Sequence, residues 1–219
     1  MNPFQNSAVV CWLEKNYVLT TFEGGSLLHF ASYCHSGTFS VCFGNVIKYG
    51  KVAHFTAFYS NLGGNMKPTR VLFICHGNIC RSPMAEYIYK KIVSDAGAED
   101  RYEISSAATS REEIGNDIYP PAQRILRQYG IPFEHRRARQ VTADEIKHYD
   151  YVIVMDSNNV RNLERMFRDG YSGKIHRMMS FCGSSRDVSD PWYTDDFETA
   201  YDDISRGCAG LFEYLEGKR

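Results

Sequence analysis

Cys75 and Arg81 are separated by five residues in the run Cys75-His76-Gly77-Asn78-Ile79-Cys80-Arg81-Ser82-Pro83. A loop of that length lets the guanidinium fold back over an anion held above the cysteine sulfur, where its planar fork grips two phosphate oxygens. It is not a Walker loop, which needs a lysine after its second glycine. A short loop between the carboxyl end of a strand and the amino end of a helix gathers backbone N–H groups on an anion, and the helix dipole adds positive potential. The same field favours thiolate over thiol, and Ser82 is placed to donate a hydrogen bond to that sulfur. These residue types in this order imply in-line attack of Cys75 on phosphorus, a cysteinyl-phosphate, and its hydrolysis by water.

Such a reaction needs an acid for the departing oxygen and then a base for the attacking water. The candidate is Asp190 in Asp190-Pro191-Trp192-Tyr193. The proline stiffens its position, and Trp192 and Tyr193 offer shelter to it and to a substrate ring. Neither a metal nor a cofactor is expected. Cys75, His76 and Cys80 leave four residues between the two cysteines, with no second Cys/His pair nearby, which does not match zinc spacing. Cys182 and Cys208 are expected to be inert, the latter on the apolar face of a helix.

The elements that must position these groups read as alternating strands and helices from Arg70 onward. Val71 to Ile74 is a fully apolar run and predicts a buried strand, followed by a helix opening at Pro83 with Ser82 as N-cap and closed by Gly97. A second strand is expected over Tyr102 to Ala107 and a second helix over Pro120 to Tyr129, ended by Gly130. Thr142 to Glu145 is a capping box, Tyr151 to Met155 a third strand, and Ser157 the cap of the helix carrying Leu163 and Met166. A fourth strand is expected around Ile175 to Met179. The last helix places Phe197, Ala200, Ile204, Cys208, Leu211 and Leu215 on one face. Together these predict an α/β fold: a small doubly wound, four-stranded parallel sheet flanked by helices, with ligands at the strands' carboxyl ends.

Composition divides the chain in two. Only 5 of residues 1–65 are charged, against 46 of the 154 residues from Met66 to Arg219, so a domain border is expected near Asn61-Leu62-Gly63-Gly64-Asn65. The uncharged stretch between Glu23 and Lys48 is broken by polar residues such as Ser26, His29, His35 and Asn45, which argues against a membrane span. Met1 to Val10 carries no Lys or Arg, unlike a secretory leader, so a cytoplasmic location with reduced cysteines is expected. Alternating patches such as Lys51 to Tyr59 suit short strands, but no single period persists. Two readings of residues 1–65 stand: a poorly ordered extension of unknown function, or sequence outside a natural protein whose translation begins at Met66. With 25 basic and 26 acidic side chains and a net charge of −1, no broad basic face is available for nucleic acid.

The Cys-x-Gly-Asn-x-Cys-Arg-Ser-Pro loop near the start of the second part, with Asp-Pro-Trp-Tyr near its end, resembles the low-molecular-weight protein tyrosine phosphatases. The likeness extends to Ser105-Ser106-Ala107, Ala138-Arg139-Gln140 and Met155-Asp156, and covers residues 66–219 but none of the extension. It implies Cys75 as nucleophile, Arg81 as phosphate clamp and Asp190 as general acid, with phosphotyrosine-containing proteins as substrates. His76, Gly77, Asn78, Ile79, Cys80, Ser82, Trp192 and Tyr193 would line or build the phosphate pocket. Asn78 and Ser106 would hold the loop's shape, Ser82 would assist the thiolate, and Cys80 would be a reversible disulfide partner of Cys75.

Three sites depart from the family's habit. His76 stands where a large apolar residue is common, Arg111-Glu112-Glu113 replaces an aromatic wall with an acidic rim, and Arg136 takes the spacing of a frequent histidine, with His135 one residue early. Arsenate reductases share the loop but need further cysteines, which the helix after Asp156 lacks. Protein-arginine phosphatases tend to have threonine where this chain has Ile79, whose branched apolar side chain favours a tyrosine-type ester. A phosphate-dependent binding module would need neither a nucleophilic cysteine nor Asp190. Oligomeric state leaves no signature in the sequence.

Overall fold

The computed structural model describes residues 67–168 and 172–218, together with the backbone of four strands nearer the amino terminus. By its internal contacts the chain divides into two units, Met1–Met66 and Lys67–Arg219. In the first, β1 (Tyr17–Thr20), β2 (His29–Cys34), β3 (Thr38–Phe43) and β4 (Val46–Lys51) form an antiparallel meander in sequence order. Strands of four to six residues are too short to impress one long period on the sequence. The Lys51 to Tyr59 patch beyond its first residue, and the linker expected at Asn61 to Asn65, lie outside the described residues.

The second unit is built on β5 (Thr69–Cys75), β6 (Tyr102–Ala108), β7 (Tyr151–Val154) and β8 (Ile175–Arg177), all paired in parallel in the order β6-β5-β7-β8. This is the expected doubly wound sheet. Leu72, Phe73, Ile74, Val152, Ile153 and Val154 are wholly buried, as strands covered on both faces must be. The period of two decides which face each residue serves. Val71, Phe73 and Cys75 pack with Met84, Ile88 and Tyr89 of α1 (Arg81–Asp95) and with Ile204, Cys208 and Leu211 of α6 (Phe197–Glu216). Leu72 and Ile74 face the other way, against Ile146 of α3 (Ala143–His148) and Leu163 of α4 (Ser157–Met166). Two further helices, α2 (Pro120–Gln128) and the single turn α5 (Pro191–Thr194), complete the elements that matter to the site. No helix among the described residues is long and apolar enough to cross a membrane.

Several boundaries shift by one residue, and three differences have physical reasons. α1 begins at Arg81 with Cys80 as an N-cap that makes no side-chain bond; Ser82 lies inside the first turn because its hydroxyl is engaged by Cys75 and Asn78 instead. Asp156, rather than Ser157, caps α4 through Oδ1, which accepts from Asn159 N at 2.7 Å. β8 ends at Arg177, and Met178–Cys182 coils into a 3₁₀ turn against α6. The Thr142 capping box forms as expected, and Gly97 closes α1 in the left-handed region at φ 59°, where glycine is unstrained.

The α6 contact with that 3₁₀ turn depends on two glycines. A Cβ on Gly210 would lie 2.2 Å from the carbonyl oxygen of Phe181, and one on Gly207 would lie 2.4 Å from Met178 Sδ. Gly210→Ala therefore faces rigid backbone and is expected to cost about 1–3 kcal/mol through overpacking, despite alanine's ~1 kcal/mol advantage inside a helix. Gly207→Ala meets chiefly the Met178 side chain, with the Met178 carbonyl oxygen at 3.2 Å, and should cost less. Urea unfolding of both variants checks this, and an unchanged or higher midpoint for Gly210→Ala would contradict the packing described.

Candidate active site

β5 ends at Cys75 and α1 begins at Arg81, so the intervening loop sits at the carboxyl edge of a central strand. The Cys75 sulfur is 3.1 Å from Ser82 Oγ and accepts from the backbone N–H of Asn78 at 3.3 Å. Three of its carbonyl groups are held by neighbouring segments. Cys75 O accepts from Thr109 N at 2.9 Å, His76 O from Ser110 N at 2.9 Å and Ile79 O from Tyr119 N at 2.8 Å.

The tight reversal of the loop falls on Asn78, whose φ of 60° is left-handed and costs energy for a residue with a Cβ. Its side chain supplies the compensation. Nδ2 donates to Ser82 Oγ and Ser106 Oγ, each at 2.9 Å, while Oδ1 accepts from Arg136 Nη2 at 2.8 Å and from Arg139 N at 3.3 Å. With both amide protons and the carbonyl oxygen engaged, the buried residue is fixed from four directions.

Arg81 is 2% exposed. Its Nη1 donates to Asp156 Oδ2 at 2.8 Å and to Val188 O at 3.3 Å, and its Nη2 contacts Asp190 Oδ2. Burial works against the guanidinium charge, but Cys75, Asp190 and Asp156 outweigh it and push the pKa up. Asp156 thus serves two purposes, capping α4 with one oxygen and holding Arg81 with the other. Asp190 caps α5, where Oδ1 accepts from Trp192 N at 3.2 Å.

A small cavity of about 110 Å³ opens above the loop. Cys75, His76, Gly77, Ile79, Cys80, Arg81, Asp190, Trp192 and Tyr193, all expected from sequence, line it, together with Glu112 and Glu113. Asn78, Ser82 and Ser106 do not line it; they are buried and joined by the hydrogen bonds that brace the loop. Trp192 and Tyr193 are 54% and 85% exposed, and the indole leans on Tyr119 with ring centroids 5.2 Å apart. Burial foremost, with the neighbouring Cys75 adding to it, pushes the Cys80 thiol up, so this cysteine stays protonated. Cys208 is fully buried, its pKa raised chiefly by burial. Among the described residues no group of three or more His, Cys, Asp or Glu side chains could hold a metal ion.

Two residues support the loop in roles that the sequence does not declare. Arg136 donates from Nη1 to Ser106 Oγ at 2.6 Å and lies 3.3 Å from the carboxylate of Glu86. Ser106 Oγ donates in turn to Glu86 Oε2 at 2.6 Å, and Lys90 Nζ donates to Glu86 Oε1 at 2.5 Å. Ser106 accepts from Asn78 and Arg136 and donates to Glu86, which exhausts its hydroxyl. The spacing of Arg136 before Ala138-Arg139-Gln140 was the available signal for it. Glu86 gave no signal beyond lying on a helix face that proves buried.

The family model described as "Low molecular weight phosphotyrosine protein phosphatase" matches residues 70–219. The low molecular weight protein-tyrosine-phosphatase YfkJ of Bacillus subtilis is 37% identical over 151 residues, covering 68% of this chain and 97% of that protein. Its crystal structure superposes with a TM-score of 0.69 at 36% identity, over 71% of this chain and 99% of that one. The low molecular weight phosphotyrosine protein phosphatase of Gallus gallus is 39% identical over 148 residues, 65% of this chain and 93% of that one. The crystal structure of a Drosophila arginine phosphatase is also similar, with a TM-score of 0.61 and 29% identity over 66% of this chain and 96% of that one.

Truncating Arg136 to alanine removes two partners from Asn78 and Ser106 and leaves Glu86 with less compensation for its burial. The variant is expected to lose about 1–3 kcal/mol of stability and about tenfold in kcat/KM toward an aryl phosphate. Arg136→Lys keeps the charge but not the fork, and should recover more stability than activity. Paired denaturation and steady-state kinetics test this; alanine and wild type behaving alike would remove Arg136 from the loop's support.

Proposed function

The chain belongs to the low molecular weight phosphotyrosine protein phosphatase family, and on that premise we propose that its second unit hydrolyses phosphotyrosine in proteins through a cysteinyl-phosphate. The observation that carries this reading is the meeting of the Cys75 sulfur, the Arg81 guanidinium and the Asp190 carboxyl in one cavity. A phosphoryl group seated above Cys75 takes over the Arg81 Nη2 donor that Asp190 now occupies, while Asp156 and Val188 keep the guanidinium in place through Nη1. Its charge then falls on the equatorial oxygens as the transition state forms.

In the first step the Cys75 thiolate forms the S–P bond as the P–O bond to tyrosine breaks, and Asp190 passes its proton to the departing phenolic oxygen. In the second, Asp190 as carboxylate takes a proton from water, the oxygen attacks phosphorus, and the S–P bond breaks to return the thiolate. Ser82 Oγ, 3.1 Å from the sulfur, stabilises that leaving group by donation. Ile79 gives the cavity a branched apolar wall, which favours a phenyl ring over a phosphorylated guanidinium, while Trp192 and Tyr193 stand exposed at its lining. Cys80 is the redox partner in this scheme: once peroxide converts Cys75 to a sulfenic acid, condensation with the Cys80 thiol gives a disulfide and water.

The purified protein should hydrolyse p-nitrophenyl phosphate and a phosphotyrosine peptide with chelator present, and a phosphoarginine peptide much more slowly. Cys75→Ser should abolish turnover, and Asp190→Ala should slow the first chemical step by about 10²–10⁴. Rapid-quench measurement of the phenol burst reads this step directly. An undiminished burst would rule out Asp190 as the acid, and faster phosphoarginine turnover would shift the substrate class.

A further inference from the structure

The rim of the cavity carries negative charge that phosphate binding does not call for. Arg81 lies at the floor and is 2% exposed, whereas Glu112 and Glu113 stand at the lining's edge. The Glu112 side chain is largely exposed, with Oε2 2.9 Å from His76 Nε2. Glu113 is half-buried, and its carboxylate accepts from the neutral Nδ2 of Asn116 at 2.7 Å. Glu113 lies against the phosphate loop itself: a Cβ on Gly77 would come within 3.0 Å of Glu113 Cγ. Arg111 is exposed on the same segment but does not line the cavity. Also lining the cavity are Trp192 and Tyr193, exposed aromatic rings of the kind that attract a cation. Asp195 and Asp196 follow them in the chain, both exposed.

We propose that Glu112, Glu113, Trp192 and Tyr193 form a subsite for a cationic side chain, lysine or arginine, flanking the phosphorylated residue of a protein substrate. The inference rests on the phosphatase reading and names its substrate class. Carboxylates and aromatic rings share a preference for one kind of neighbour, and both penalise an acidic flank, whose charge would add to that of the phosphate. Exposed ion pairs are individually weak, so the combined preference is of the order of five- to tenfold in kcat/KM, and it falls as salt screens the rim.

Two phosphotyrosine peptides that differ only in lysine or glutamate at the flanking positions test this, with p-nitrophenyl phosphate as a flank-free substrate. The expected result is a lysine-to-glutamate ratio of about five or more at low ionic strength, falling toward unity at about 0.5 M salt. The ratio should also collapse in the double variant Glu112→Gln/Glu113→Gln, in which the new side-chain amide oxygen can still accept from Asn116. A ratio at or below one with p-nitrophenyl phosphate turned over would overturn the subsite and leave the phosphatase reading intact. A high ratio that survives the double substitution would overturn its assignment to these carboxylates. Absence of p-nitrophenyl phosphate turnover would instead sink the phosphatase reading, and the subsite with it.

Discussion

A single buried guanidinium sets the terms for the site. Removing a charge from water costs several kcal/mol unless partners compensate, and Arg81 is almost wholly enclosed. Its compensation comes from Asp156 after β7 and from Val188 and Asp190 in the loop before α5. Cys75 ends β5 next to β7 in the sheet, so the groups that meet at Arg81 come from segments far apart in sequence. They converge because parallel strands deliver their carboxyl ends to one edge. The sheet order therefore enters the chemistry: with another strand beside β5, Asp156 would not reach the guanidinium.

Beneath that charge lies a hydrogen-bonded layer that fixes the loop. Asn78 adopts a left-handed backbone that its own amide stabilises; Ser106 and Arg136 fix the amide, and Glu86 holds both of them in turn. Each group uses its donors and acceptors on another member of the layer, which is how a polar cluster avoids the penalty of burial. The Arg136 fork satisfies two acceptors at once, Ser106 Oγ and Asn78 Oδ1. A compact ammonium could not span them in the same plane.

Much of this is legible in the sequence where chemistry and spacing coincide. Cys75 and Arg81 declare themselves because a cysteine and an arginine bracketing a short loop have few other uses. The apolar run at Val71 to Ile74 announces a strand covered on both faces. Asp190 is legible only in combination, since an aspartate before proline usually marks a turn. Arg136 stands out by its spacing but declares no task, because its contacts reach back 30 and 58 residues, and no local pattern encodes a contact at that distance. Ser82 reads as a cap but is not one, for a related reason: before proline a serine hydroxyl normally faces the helix amides, but here the sulfur and Asn78 compete for it and win.

The proposed nucleophile and the proposed acid are anchored at opposite ends of a stability scale. Cys75 belongs to an interior strand whose backbone is paired on both sides, and such strands open only with the whole domain. Asp190 caps a one-turn helix that ends in a left-handed residue, Asp195, beside two exposed aromatic rings. Substitutions around that turn can re-aim the Asp190 carboxyl and reshape the mouth at little cost to folding, whereas changes around the Cys75 sulfur jeopardise both fold and site. Diversification of such an enzyme is thereby channelled toward the loop that carries Asp190, with the Cys75 loop held constant.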